Sequence, residues 1–353
     1  MTASNMANAS IAPVREAHRF NEKALINWMS ANIKDFSAPM TIGQFSGGQS
    51  NPTYKLTTPS RSYVLRRKPS GELLKGAHAV EREVQVLQAL AKTDVPVPRV
   101  FGLCTDNAVI GTWFYLMEMV EGRIFWDATL PEVNKYDRPA YFDAMNAVLA
   151  KLHLVDYTQI GLGDYGRPGN YFARQIDRWS KQYFEDAVAG RDPSMDKLIE
   201  WLQVNIPTDE ETALTHGDCR IDNIIFHPME PRVLAVLDWE LSTLGHPLAD
   251  FAYNAMMYHM PSHIVAGLAG VDLVARNLPT EADYVAAYCA RTGRDGIPNY
   301  PFYIAFNFFR LAAIFHGIKG RVIRGNASSA KAAEKAEAFP QLAQIGFELT
   351  RHN

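Results

Sequence analysis

Cysteine is scarce: the 353 residues contain three, Cys104, Cys219 and Cys289, odd in number and far apart. Such spacing excludes a disulfide framework and a thiolate metal site, and it fits a reducing compartment. Charge of one sign is also lacking, since a net charge of −3 gives no reason to expect nucleic acid as a partner. There is no run of about 18 consecutive apolar residues of the kind that spans a membrane. The N-terminal MTASNMANASIAPV has neither the basic start and apolar stretch of a secretory signal nor the arginines of a mitochondrial transit peptide. These absences predict a cytoplasmic protein with no nucleic-acid or membrane partner, and residues 1–14 read as a mobile tail.

What is present is an ordinary globular composition, 47% hydrophobic and 21% charged. The length exceeds a single core of about 250–300 residues, so two lobes are expected. Phe20, Ala24 and Trp28 share a helical face, which predicts a first helix over 16–33. TIGQFSGGQSNPTYKLTT reads as strand, glycine turn, strand, and SYVLRRK as the next strand. AHAVEREVQVLQALAK has the helical spacing Val80, Val84, Leu87, and VIGTWFYLMEMVEG supplies further strand. From about residue 124 helical patterns dominate, interrupted by the apolar pair IIF and VLAVL. The fold class is therefore α+β: a small antiparallel-sheet lobe over 15–120 and a larger, mainly helical lobe over 121–353.

The chemistry concentrates in LTHGDCRIDNIIFHPMEPRVLAVLDWE, residues 214–240. Asp218 precedes Asn223 by five residues in a loop entering a strand, and Asp238 ends the strand after next. A hairpin there returns Asp238 close to Asn223. An amide oxygen and a carboxylate suit Mg²⁺, a hard cation that also takes phosphate oxygens and water. Asp218 is then left at the loop start to accept a proton from a hydroxyl. The order D-x-x-x-x-N followed by a strand-end Asp matches a phosphoryl-transfer arrangement. His216 reads as a loop-packing residue, Cys219 as small packing, Asp250 as a loop anchor, and Arg220 as a loop residue able to reach a substrate.

The N-terminal part supplies a complement. The turn Ser46, Gly47, Gly48, Gln49, Ser50, Asn51 lets backbone amides approach phosphates without Cβ interference, although a Gly- and Ser-rich turn also closes plain hairpins. Arg66 is followed by a helix bearing Glu81 and Glu83, and a basic residue paired with a helix glutamate is a clamp for α- and β-phosphates. In MEMVEG, the backbone at Glu118 and Val120 is placed to bond adenine. On α-helical geometry of about 100° per residue, Arg310, Gly317, Arg321 and Arg324 fall on one stripe. Its plain reading is charge balance at a helix C-terminus. The alternative makes Arg310 and Arg321 substrate contacts in a basic wall, suited to an anionic acceptor and not to cationic aminoglycosides.

On SGGQSN, VLRR, VEREVQVL, VPVPRV, FYLMEMVEG, THGDCRIDNIIF and LDWE, the chain resembles the aminoglycoside phosphotransferase/choline kinase family, which has a protein-kinase-like fold. Within it, the chain looks most like the phosphotransferase-like domains associated with acyl-CoA dehydrogenases. The resemblance implies ATP- (or GTP-) and Mg²⁺-dependent phosphorylation of a small-molecule hydroxyl, with a functional link to an acyl-CoA dehydrogenase. It implies Asp218 as base, Asn223 and Asp238 as Mg²⁺ ligands, and Arg66–Glu83 as the phosphate clamp, with arginine where the family often has lysine. Two other functions stay open at this stage: a nucleotide-binding pseudokinase, and a metal-dependent hydrolase using His216, Asp218, His227 and Asp238. Nothing in the chain resembles a flavin-binding dehydrogenase domain.

Overall fold

The computed structural model describes residues 11–45, 51–69, 78–325 and 332–351. The elements begin with β1 (Ile11–Ala12), α1 (Glu22–Asn32), β2 (Thr41–Phe45), β3 (Thr53–Thr57), β4 (Ser62–Arg67) and α2 (Val80–Leu90). Then come β5 (Val100–Cys104), α3 (Asn107–Ile110), β6 (Phe114–Glu118), α4 (Arg138–His153), α5 (Tyr171–Glu185) and α6 (Pro193–Val204). Two hairpin strands follow β7 (Ala213–Thr215), namely β8 (Ile224–Phe226) and β9 (Val233–Val236), and then β10 (Thr243–Gly245). The chain continues with α7 (Pro247–Ala255), α8 (Leu273–Arg276), α9 (Glu281–Thr292), α10 (Tyr300–Ile323) and α11 (Ala332–Leu349).

The chain divides into two compact units. The first comprises Met1–Ile124, Ile160–Leu162 and Asp222–Ser242. Its six strands pair antiparallel in the order β1-β2-β3-β4-β6-β5. One sheet face packs Tyr54, Leu56, Tyr63, Leu65 and Leu116 against Leu25 and Met29 of α1. Strand alternation then decides between the two arginines of YVLRR. Arg67 falls on the α1 side, where it donates to the His18 carbonyl and lies over Phe20, while Arg66 falls on the opposite face.

The β8–β9 hairpin belongs to this unit, although the chain reaches it some hundred residues after the sheet. Arg123 and Phe226 exchange both backbone bonds at 2.8 Å, and the Val236 amide donates to Pro96. Gly122 permits this approach, because a Cβ there would stand 2.3 Å from the Phe226 carbonyl oxygen. The lobe boundary expected at residue 120 is thus corrected: backbone bonding, which sequence order does not display, assigns Asp222–Ser242 to the sheet-bearing unit. Two smaller corrections concern the N-terminus. Ile11 and Ala12 pair with Phe45 and Gln44, so the expected tail ends before residue 11; residues 1–10 lie outside the described residues. The helix expected over 16–33 begins at Glu22, where Asn21 accepts the Ala24 amide as N-cap.

The second unit, Phe125–Gln159, Gly163–Ile221 and Thr243–Asn353, is mainly helical around α10. Phe302, Tyr303 and Phe306 of α10 pack on Phe172 of α5, with ring centroids 5.0–5.5 Å apart. The aromatic run YPFYIAFNFFRLAAIF thus lies in this core helix. Helix α10 is long and apolar enough to cross a membrane by composition, yet it is mostly buried within this unit. The antiparallel pair β7–β10 sets Thr215 opposite Thr243 and aims the chain into the loop 216–221.

Candidate active site

In the first unit, a charge cluster grows from the strand register. Arg66 on β4 stands opposite Tyr115 on β6, and both reach Glu83 of α2. Arg66 Nε lies 3.1 Å from Glu83 Oε2, and Tyr115 donates to the same oxygen at 3.0 Å. Glu81, the other helix candidate, instead pairs with Lys68 at 2.8 Å, so the structure selects Glu83 as the partner of Arg66. From its other end, Arg66 donates from one terminal nitrogen to Asp238 at 2.6 Å and to Glu240 at 3.2 Å. Asn51, fully buried, braces the group by donating to Glu83 at 3.1 Å and Glu240 at 3.3 Å, while its oxygen accepts from His78 Nδ1 at 3.0 Å.

The hairpin was expected to bring Asp238 back towards Asn223. The Leu237 amide donates to the Asn223 carbonyl at 2.8 Å, which seats Asp238 one residue from that bond. Asp238 has a φ of +65°, a left-handed backbone that costs a residue with a Cβ about 1–2 kcal/mol. The Arg66 bond and the buried Trp239, whose indole donates to the Val236 carbonyl, hold it there.

Three carboxylates on one guanidinium leave an excess of negative charge. Burial pushes the Glu83 carboxyl up to about 7; Arg66 opposes this, and Asp238 and Glu240 add to it. Arg66 behaves oppositely. Burial would lower it, but Asp238 and Glu83 outweigh that and hold it above its ordinary value. Arginine at this position makes sense of the geometry, since its fork reaches three acids that a single ammonium would meet less well. A hard divalent cation fits this oxygen-rich, negatively charged donor set.

In the second unit, α7 holds the loop that carries Asp218, residue by residue. Asp250, 3% exposed, accepts the His216 amide and the Gly217 amide, each at 2.7 Å, and His153 Nε2 at 3.1 Å. Burial would raise this carboxyl, but His153 and the loop amide hold it below the usual carboxylate range. Tyr253 donates to Asp218 Oδ1 at 2.5 Å, and Asn254 Nδ2 to the Cys219 carbonyl at 2.9 Å. Positions 250, 253 and 254 share one face of α7, as i, i+3 and i+4 must. Gly217 has a φ of +82°, which glycine adopts at no cost. The sequence reading of Asp250 as loop anchor agrees with this geometry. Buried His216 accepts the Asp218 amide at Nδ1, also a structural task.

Other expected residues fall as follows. Ser46, Gly47, Gly48, Gln49 and Ser50 lie outside the described residues. The Glu118 amide donates to the Arg99 carbonyl at 2.8 Å, and Val120 follows in irregular backbone. The expected arginine stripe separates along the helix. Arg310 is buried against the loop, donating to the Gly217 carbonyl. Arg321 is exposed, its guanidinium near Gly317, and Arg324 pairs with Asp186 at 2.7 Å. Eleven residues of helix separate Arg310 from Arg321 by about 16 Å, so they do not make one wall. Sequence reasoning missed Tyr253 and Glu240. The only sequence signals were the helical offset of Tyr253 from Asp250 and the acid two residues after Asp238.

The hydrolase alternative loses its histidines. His227 Nδ1 accepts the Met229 and Glu230 amides, a turn-closing role, and His216 is engaged as above. A further group, Asp209, Glu211 and His246, also makes a poor metal site. Arg294 grips both Glu211 oxygens, and His246 Nδ1 accepts the Leu248 amide, so the neutral ring carries its proton on Nε2.

Comparisons with known proteins bear on the family and the fold. Residues 41–302 match the model of the phosphotransferase enzyme family. A solved Ralstonia eutropha protein assigned to the aminoglycoside phosphotransferases is 49% identical, covers 95% of this chain and 99% of its own, and superposes with a TM-score of 0.86. A thermostable mutant of an aminoglycoside phosphotransferase, solved with AMP-PNP and hygromycin B, shares the fold at a TM-score of 0.62 and 14% identity, covering 94% of this chain and 99% of its own. Acyl-CoA dehydrogenase family member 10 of Mus musculus is 44% identical over 339 residues, 95% of this chain and 32% of that protein. The chain spans less than half the length of the curated relatives it matches.

Proposed function

Since the chain belongs to the phosphotransferase enzyme family, we propose that it transfers the γ-phosphoryl group of ATP, with Mg²⁺, to a hydroxyl of a small molecule. The observation that carries this reading is the chain of contacts Glu83–Arg66–Asp238, tied through Leu237 to Asn223. In it, Asn223 and Asp238 are the residues to hold Mg²⁺, Arg66 is the group for the α- and β-phosphates, and the Glu118 carbonyl is an acceptor for a purine amine. Mg²⁺, when bound, neutralises charge on the transferring phosphoryl group. Asp218 orients the acceptor hydroxyl and takes its proton. GTP in place of ATP is an outcome for the assay.

A small acceptor is favoured over a protein one. Strand β10 starts at Thr243 and α7 at Pro247, so no long activation segment follows Asp238. Next to Asp218 lies a shallow concavity lined by Arg220, Tyr253, Met256, Met257, Met260 and Val265, among others. Its described lining contains no carboxylate. An anionic acceptor with an apolar chain suits such walls better than a polycationic aminoglycoside does. The names of the relatives add a reason to place hydroxyacyl thioesters first, with an acyl-CoA dehydrogenase as the functional associate.

The test is a γ-phosphate transfer screen over hydroxyacyl-CoA thioesters, hydroxy acids and aminoglycosides, with ATP and GTP as donors. Transfer to an anionic acceptor, reduced about 10²-fold or more in Asp218→Asn, is expected. Undiminished transfer by that variant refutes the role of Asp218, and phosphorylation of cationic amines alone refutes the acceptor class.

A further inference from the structure

Packing alone accounts for the ring of Tyr253 but not for its hydroxyl. The residue is 5% exposed, so a phenylalanine would fill the same space. Its hydroxyl meets Asp218 Oδ1 at 2.5 Å, the separation of a charge-assisted O–H···O⁻ bond. Arg220 Nε approaches the same oxygen at 3.5 Å. On the ring's face lies the Arg310 guanidinium, its carbon 5.0 Å from the centroid, within cation–π range. Arg310 also donates to the Gly217 carbonyl, so one buried cation fixes both the tyrosine and the residue before Asp218.

We propose that Tyr253, held by Arg310, is the positioning residue for the Asp218 carboxylate. The inference rests on reading Asp218 as the base. The short tyrosine bond at Oδ1 restrains the carboxylate, and a base must present a lone pair within about 0.5 Å of the productive position. Burial, then the charge of Asp218, keeps the phenol above its ordinary range, so it remains a donor. The hydroxyl thus serves to orient the carboxylate.

The experiment uses the full chain, with γ-phosphate transfer from Mg·ATP to water as the turnover probe and kcat and the KM for ATP read separately. In a folded Tyr253→Phe, turnover should fall about 10-fold, with the KM for ATP unchanged. Replacing Tyr253 by 3-fluorotyrosine, which keeps the hydroxyl, should restore most of the turnover and leave the fold intact. A folded Tyr253→Phe with unmoved turnover overturns the proposal. So does a fluorotyrosine protein whose turnover stays as low as that of Tyr253→Phe, or a variant that only melts earlier. Asp218→Asn separates the two readings: if it retains full turnover, the base assignment fails; if it abolishes turnover while Tyr253→Phe is silent, only the positioning role fails.

Discussion

The two chemistry-bearing regions solve opposite problems. Around Arg66, three carboxylates crowd one guanidinium, and the geometry of each depends on a charge it shares with the others. Around Asp218, one buried carboxylate, a phenol and an amide fix a backbone loop, with Arg220 and Arg310 close by. The first region gathers negative charge that a cation could offset, and the second is held in place by hydrogen bonds from one helix. Catalysis of phosphoryl transfer asks for both properties, because positioning and charge neutralisation are its two main contributions.

The contrast can be attacked from either side. The largest effect should come from Asp250→Ala, which leaves the His216 and Gly217 amides unpaired in the interior. Denaturant unfolding should show a loss of about 3–5 kcal/mol. For Asp250→Asn the pH dependence carries the sign. A carboxyl held below its ordinary value contributes stability that is complete above the unfolded pKa and is lost as pH falls through the folded value. The stability gap between wild type and Asp250→Asn should therefore be widest at neutral pH and narrow below about pH 4. A gap independent of pH would remove Asp250 as an ionised anchor.

On the other side, MgADP at about 100 times its Kd should stabilise the protein by about 2.7 kcal/mol. Calorimetry should find that increment lost in Asp238→Asn and kept in Asp250→Asn, provided the latter still folds. Equal loss in both would erase the distinction between a region that gathers negative charge and one held in place by hydrogen bonds. A smaller, overpacking cost of about 1–3 kcal/mol is expected for Gly122→Ala, read from thermal unfolding. The close approach at the Phe226 carbonyl is its cause. Least of all, Arg321→Ala should change stability by no more than about 0.5 kcal/mol and leave phosphate transfer as it was. A substantial loss of transfer would restore the basic wall that the structure takes apart.

Much of this was legible in the chain itself, for identifiable reasons. Helices α2, α5 and α6 announced themselves by apolar spacing, and Asp218, Asn223 and Asp238 by their offsets around two apolar strands. Strand parity separates Arg66 from Arg67 with no further information. What stayed hidden depends on tertiary pairing. Strands β7 and β10 are three residues each, too short for a pattern. Tyr253 reads as one more apolar position of HPLADFAY until its hydroxyl is seen on Asp218. Glu240 counts as a plain surface acid until Arg66 reaches it. The arginine stripe misled because a helical wheel reports angle and discards axial distance, so Arg310 and Arg321 looked like neighbours.

The assignment of the β8–β9 hairpin to the sheet-bearing unit has a consequence for biosynthesis. Met1–Ile124 leaves the ribosome about a hundred residues ahead of Asp222–Ser242, on the order of 5–20 s at ordinary elongation rates. During that interval Arg66 and Glu83 have each other, while Asp238 and Glu240 do not yet exist. The sheet-bearing unit therefore cannot complete its charge cluster until the hairpin emerges, and a nascent chain arrested between residues 124 and 222 would be a sheet still lacking its acidic hairpin.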